Sequence, residues 1–260
     1  MQALLEEHDE IIALLRDDAN YFGELGSRYL SNSDISVLCN NPDYYGKIQF
    51  DNNADYLKGR WLHLRILEPE NIGNMIVVDA TTRNTTAYKE VVAEHTIEGF
   101  PKPMFLLRHE TIELEGLARK VELNPDFRDG LQDHKLPFEV EEPAIGELFG
   151  YNFKGKADRI NRQRGFVADL KTTRSLSQFR SNFCNYGYHT QAYIYQQLFG
   201  MPVRFYVIDK SNGRLGIYDV SQETLQRAEE RVKWGLEKLE MYYGENPAEN
   251  IEQYYEYLEL

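Results

Sequence analysis

The stretch KGKADRINRQRGFVADLKTT, residues 154–173, decides how this chain folds. KGKADRI and GFVADLKTT flank a short polar loop closed by Gly165, and an antiparallel hairpin is the simplest reading of that arrangement. With Ile160 opposite Val167, Asp158 falls opposite Asp169, and side chains so placed have Cβ atoms ~4.5–5.5 Å apart. Lys171 stands two residues beyond Asp169 and shares its face. A slip of one residue would send the two acids to opposite faces.

Like charges facing each other across a strand pair are destabilising unless something neutralises them. Lys171 is one candidate and a divalent cation is another. Carboxylate oxygens suit Mg²⁺ or Mn²⁺, which keep positions open for water and a phosphate oxygen. A cation there would lower the pKa of a bound water and offset charge on a phosphate under attack, with the lysine orienting the nucleophile. From the residues alone, a structural ion pair and a metal site both stay open. A second Asp-x-Lys, Asp133-His134-Lys135, sits in the turn-like GLQDHKLP, with no apolar run before it.

Outward from the hairpin, the charge is uneven. The chain of 260 residues has a formal net charge of -13, yet between Lys154 and Arg180 only Asp158 and Asp169 are acidic against eight basic residues. Arg159, Arg162, Arg164 and Arg174 in that window are candidate phosphate contacts, which give affinity without sequence information. Two cysteines are too few for a disulfide framework or a four-cysteine iron–sulfur cluster. The acidic start MQALLEEHDEIIALL is unlike a secretory signal, and no apolar run approaches a membrane span, so a cytoplasmic location is the expectation.

The coarse pattern has two parts. Residues 3–16, a segment capped by Ser31 or Ser33, 55–67 and 110–122 read as helices, with NMIVVDA a short strand and NPDFRDG a turn. From about 138 the order changes. FEVEE, LFGYNFKGKADRI and GFVADLKTT read as successive strands and NYGYHTQAYIYQQLFG as a helix. VRFYVIDK and RLGIYDV then form a hairpin around SNG, and 221–243 is a final helix capped by Ser221. An α/β fold with a central mixed sheet flanked by helices, behind a helical N-terminal part (1–70), is expected as a single domain over 1–260, its catalytic sheet and helices at 138–243.

Asp158, eleven residues on to Asp169-x-Lys171, with a basic hairpin and a following helix, resembles the PD-(D/E)XK nuclease superfamily. YLSNSDISVL, GRWLHLRILEPE, LNPDFRDGL, KGKADRI, ADLKTT and YGYHTQAYIY, in that order, are similar to segments of the RecE-type exonuclease domain of exonuclease VIII and its phage relatives. That resemblance implies a Mg²⁺-dependent DNA exonuclease, with Mn²⁺ able to substitute, acting on linear double-stranded DNA in phage-type recombination or DNA degradation. An endonuclease of the same fold and an inactive DNA-binding module are the alternatives.

The same resemblance places His63, Asp158, Asp169 and the backbone carbonyl of Leu170 at the metal, and makes Lys171 the catalytic amine. Gln191 and Tyr195, four apart on one helix face, become substrate-orienting residues. The family's further acid falls on Glu139 or Glu141, and EEPAIGELFGYN reads as an acidic insertion. Gly59, one turn before His63, would let that helix face approach its neighbour closely. A homo-oligomer and a single-strand annealing recombinase as partner are further implications of the resemblance.

Overall fold

The computed structural model describes residues 2–47, 53–96, 103–132 and 139–255. Asp133, His134 and Lys135, and Phe138 of the first expected strand, lie outside these. The N-terminal part holds α1 (Gln2–Leu15), α2 (Asp18–Tyr21), α3 (Asn32–Asn40) and α4 (Ala54–Leu67). Ser31 begins α3: its hydroxyl accepts from Asp34 N while the Asp34 carboxylate accepts from the Ser31 N–H, so two amides at the helix start are satisfied reciprocally. Asn53 caps α4, and Glu68-Pro69 ends it.

Beyond α4 come β1 (Met75–Val78), α5 (Thr86–His95), β2 (Met104–Leu107), α6 (Arg108–Leu123) and α7 (Pro125–Leu131). The strand expected in NMIVVDA is β1, but it pairs in parallel with β2 and stands apart from the main sheet. NPDFRDG, expected to turn, is helix α7. Asn124 accepts from Phe127 N as its cap and Pro125 is the first residue inside, so turn-type residues here start a helix that continues because Phe127 and Leu131 are buried.

The main sheet has β3 (Glu139–Leu148), β4 (Tyr151–Asn161), β5 (Phe166–Thr173), β6 (Val203–Asp209) and β7 (Leu215–Asp219), in that spatial order. All neighbours are antiparallel except β5 and β6. That parallel step needs a crossover, supplied by α8 (Leu176–Ser181) and α9 (Tyr188–Phe199). Helix α10 (Gln222–Tyr243) follows β7, capped by Ser221 as expected. LFGYNFKGKADRI is not one strand: Phe149 and Gly150, both at positive φ, turn the chain between β3 and β4. EEPAIGELFGYN is thus part of the sheet, supplying β3 and its turn into β4.

Helices cover both faces. On one, Phe166, Ala168, Leu170, Tyr206 and Ile208 of the sheet pack with residues of α4, α6 and α7 such as Leu62, Ala118 and Phe127. On the other, Val167, Val203, Phe205 and Val207 meet Phe179 of α8 and Ala192 of α9. Gly59 comes close to Thr172 of β5, where an added Cβ would stand 3.0 Å from its hydroxyl, so α4 is held tightly against the end of that strand. Among the described residues no helix is long and apolar enough to cross a membrane.

Candidate active site

The site forms where β4 parts from β5. Ile160 pairs with Val167 and Arg159 with Ala168, the expected register, but the ladder stops there, one step short of Asp158 and Asp169. The first half of β4 bonds instead with Leu30, whose N–H reaches Asn152 O and whose carbonyl accepts from Lys154 N. A parting of strands orphans backbone groups that must find partners. Asp158 Oδ2 accepts the Leu170 N–H at 2.6 Å, and the Lys156 carbonyl accepts from Tyr195 Oη at 2.9 Å.

On its other side β4 faces β3. Val140 pairs with Arg159 and Glu142 with Ala157, so Glu141 falls opposite Asp158 at the one position where that ladder skips a step. Its φ is 51°, the left-handed region that costs a non-glycine residue about 1–3 kcal/mol and that clusters at functional sites. Glu141, Asp158 and Asp169 therefore stand in one row across three adjacent strands. Of the two acids the sequence left open, Glu141 joins this row; Glu139 is on the surface, bonded to Arg162 at 2.9 and 2.8 Å.

Two bases meet the row. From α4, His63 puts Nε2 3.0 Å from Asp158 Oδ2 and Nδ1 3.5 Å from Glu141 Oε1. Along β5, Lys171 Nζ lies 2.6 Å from Asp169 Oδ1 and 5.3 Å from the Tyr188 ring centroid. Gln191 Nε2 donates to Asp169 Oδ2 at 2.6 Å. Burial pushes the Glu141 carboxyl up to about 7, helped by the Asp158 charge, and raises Asp169 to about 6 against the pull of Lys171. For Asp158 burial acts upward too, but the His63 charge and hydrogen bond, with Lys171 behind them, hold it below the usual carboxylate range. Burial opposes the charged forms of His63 and Lys171, and the facing carboxylates outweigh it, so both are raised.

One ligand atom each from His63, Glu141 and Asp158 lies within 4.8 Å of the other two. His63 Nδ1 and Glu141 Oε1 are buried without a hydrogen-bond partner among the described residues. The row opens on a cleft of about 820 Å³, lined also by Tyr21, Arg60, Lys154, Lys156 and Tyr188.

A sequence pattern described as a PDDEXK-like domain of unknown function (DUF3799) matches residues 44–247. The chain belongs to this PDDEXK-like family. Among solved structures, a putative exonuclease from Eubacterium rectale is similar at 17% identity and a TM-score of 0.62, covering 86% of this chain and 85% of its own. A phage-related exonuclease from Haemophilus somnus 129PT covers 62% of this chain and 87% of its own at 15% identity, with a TM-score of 0.31. No curated protein matches the chain. Like the first of these structures, this PDDEXK-like chain has the nuclease fold expected from the residues around the hairpin.

The expected arginines fare differently from the acids. Arg159 is fully buried in the sheet, so it offers nothing to a phosphate. Arg162 pairs with Glu139, Arg164 lies 3.8 Å from Asp129, and Arg174 pairs with Asp55. Arg162 and Arg164 belong to the closed end of the hairpin, away from the row, and Arg164 lines a separate depression with Arg204 and Asp219. Among the described residues the cleft is lined by the cations Arg60, Lys171, Lys154 and Lys156; Lys156 Nζ is 2.7 Å from Asp18 Oδ1, and the alternation of KGKAD puts both Lys154 and Lys156 on the Asp158 side of the strand. Tyr21 spans both, with its ring 4.5 and 4.6 Å from their Nζ atoms. Nothing in the sequence near residue 21 pointed to that contact.

Proposed function

We propose that this protein is a divalent-metal-dependent deoxyribonuclease that degrades linear DNA from an end. The observation that carries this is the cross-strand row Glu141, Asp158, Asp169, with His63 at one side and Lys171 at the other. The donor set fits a metal: His63, Glu141 and Asp158 each offer a ligand atom within 4.8 Å of the other two, and His63 Nδ1 and Glu141 Oε1, 3.5 Å apart, are buried without a hydrogen bond among the described residues. One imidazole with carboxylate oxygens suits Mn²⁺, and Mg²⁺ through the oxygens. His63, Glu141 and Asp158 would hold the ion, with Asp169 and the Leu170 carbonyl as further ligands. Bound there, the ion supplies Lewis acidity, lowering the pKa of a water and offsetting phosphate charge.

The chain's own groups do the rest. Lys171, kept charged by Asp169, donates toward a phosphate oxygen or the attacking water. Gln191 fixes the Asp169 carboxylate, and Tyr195 fixes the parted strand through the Lys156 carbonyl; both thus position the protein's own groups. Lys154 and Lys156 would meet phosphates of the entering strand. The cleft is large enough to take the nucleotides next to the bond that is cut. A role in phage-type recombination beside an annealing protein, and a homo-oligomeric assembly, extend the reading by resemblance.

The test is digestion of end-labelled linear duplex and closed circular DNA with Mg²⁺ or Mn²⁺, with chelator and Asp158→Asn as controls. Loss of the linear substrate alone, abolished by either control, is expected. Cutting of the circle makes the protein an endonuclease, and salt-dependent binding without metal-dependent turnover makes it a binding module; either overturns the exonuclease reading.

A further inference from the structure

Outside the cleft, a cavity of about 400 Å³ lies where α3, the start of α9 and α10 meet. It is lined by Ser36, Asn40, Asn185, Gly187, His189 and Arg231 among others, and in a chain of net charge -13 no Asp or Glu is among its described lining residues. Helix α9 opens onto it with Gly187 as N-cap, at φ 70°, bringing no side-chain acceptor to the first-turn amides. The Tyr188 amide is met by the Phe183 carbonyl, and the first-turn amides after it, with the dipole of a helix start, favour an anion.

An independent feature points the same way. His189 is 6% exposed, and its Nδ1 has no hydrogen-bond partner among the described residues. A buried polar atom without a partner is costly, and such atoms need an explanation such as a ligand. Burial, reinforced by Arg231 and Arg227 of α10, pushes this imidazole down to about 4, so the ring is neutral near pH 7 and in its Nδ1–H form is a donor. Arg231 is held in place by Asn40 Oδ1 at 2.6 Å and by the Trp234 ring at 4.4 Å. His189 and Arg231 thus line one cavity, with no carboxylate among its described lining residues.

We infer that this cavity binds the phosphate group of a small anion, inorganic phosphate or a nucleoside monophosphate, at the start of α9. The site is separate from the cleft: Thr190 ties α9 to α3 through Asn32 Oδ1 at 2.7 Å, and Asn32 is on the cleft side. It does not depend on the nuclease reading. Its occupant would sit at the start of the helix that carries Tyr195 and, one residue past the Thr190 anchor, Gln191.

The experiment reads binding without metal, in chelator, by calorimetry and thermal melting of the full chain, with inorganic phosphate and deoxyadenosine monophosphate as separate probes. Saturable binding that raises the melting temperature is expected. Ser36→Asp, which puts a carboxylate at the cavity, should weaken it by about tenfold or more, equivalent to about 1.4 kcal/mol. Ser36→Ala and Lys156→Gln should leave it unchanged. Tighter binding of the nucleotide identifies that source, and equal binding identifies the phosphate group alone. Undiminished binding to a folded Ser36→Asp protein, loss in Lys156→Gln, or no saturable binding by the wild type overturns the site.

Discussion

The β4–β5 hairpin has two ends, and they treat charge in opposite ways. At the closed end, Arg162 and Arg164 are offered Glu139 and Asp129 on a solvated surface, where each pair is worth ~0–1 kcal/mol. At the parted end, three carboxylates are drawn into one partly buried row, with a histidine and a lysine as counter-charges. Density of charge along the chain is greater near the closed end; concentration of unbalanced, desolvated charge is found at the other. The second quantity is what marks a candidate site, since perturbed titration collects where burial and like charges are arranged together.

The hardest blow to that contrast is at Asp158. Asp158→Asn keeps an oxygen for the Leu170 N–H but removes the charge, and cleavage should fall to background while the melting temperature stays near wild type. Substantial residual cleavage would take the row out of the chemistry. Next is Lys171→Ala, expected to cost about 10²–10⁴-fold in kcat, the usual worth of a positioned acid–base or charged group. A Lys171 variant with unaltered kcat but raised KM would make the lysine a binding residue only.

Glu141 sharpens the contrast through pH. Its carboxyl is raised from 4.5 to about 7 by burial and then by Asp158. Because the folded value lies above the unfolded one, its contribution to stability is full below about pH 4.5 and is lost as pH rises through 7. Without metal, the melting temperature of wild type relative to Glu141→Gln should therefore fall between pH 5 and 8, and Mn²⁺ should reverse the fall. The same substitution should weaken Mn²⁺ binding by about 10–100-fold, as loss of a group around a metal does. A flat difference across that range would separate Glu141 from the row.

What the sequence made legible follows from range. The hairpin register, the Ser221 cap and the helix carrying His63 are set by local pattern, and all were readable. NPDFRDG was misread because cap residues and turn residues are the same residue types; only the burial of Phe127 and Leu131, a tertiary fact, separates the outcomes. The row was half legible: period-two alternation places Asp158 against Asp169. Choosing Glu141 over Glu139 needed a left-handed backbone and a skipped ladder step, which leave no mark in composition. The arginines misled for a related reason, since Glu139, Asp129 and Asp55 reach them from other parts of the chain.

Tyr188 gives a smaller test. Its ring faces Lys171 and is itself fixed by Phe179, 5.3 Å away and nearly parallel. A cation–π contact of this partly desolvated kind is worth about 1–2 kcal/mol, so Tyr188→Leu should lower kcat by about 5- to 30-fold with little change in KM. Tyr188→Phe keeps the ring and should restore the rate, which a hydroxyl role would not allow.

The smallest expected effect belongs to the closed end, and it decides whether the two ends differ at all. Arg162→Gln breaks an exposed pair with Glu139 and should move stability by ~0–1 kcal/mol. If the DNA path runs through the cleft lined by Lys154 and Lys156, cleavage and its dependence on salt should be unchanged. Lys156→Gln should by contrast raise KM and reduce the slope of log K against log salt by about one phosphate's share, ~0.7–0.9. Salt slopes count phosphate contacts directly, whatever the state of the chemistry. Equal losses in the two variants would place the hairpin loop on the DNA and return the basic turn to the role its composition suggests.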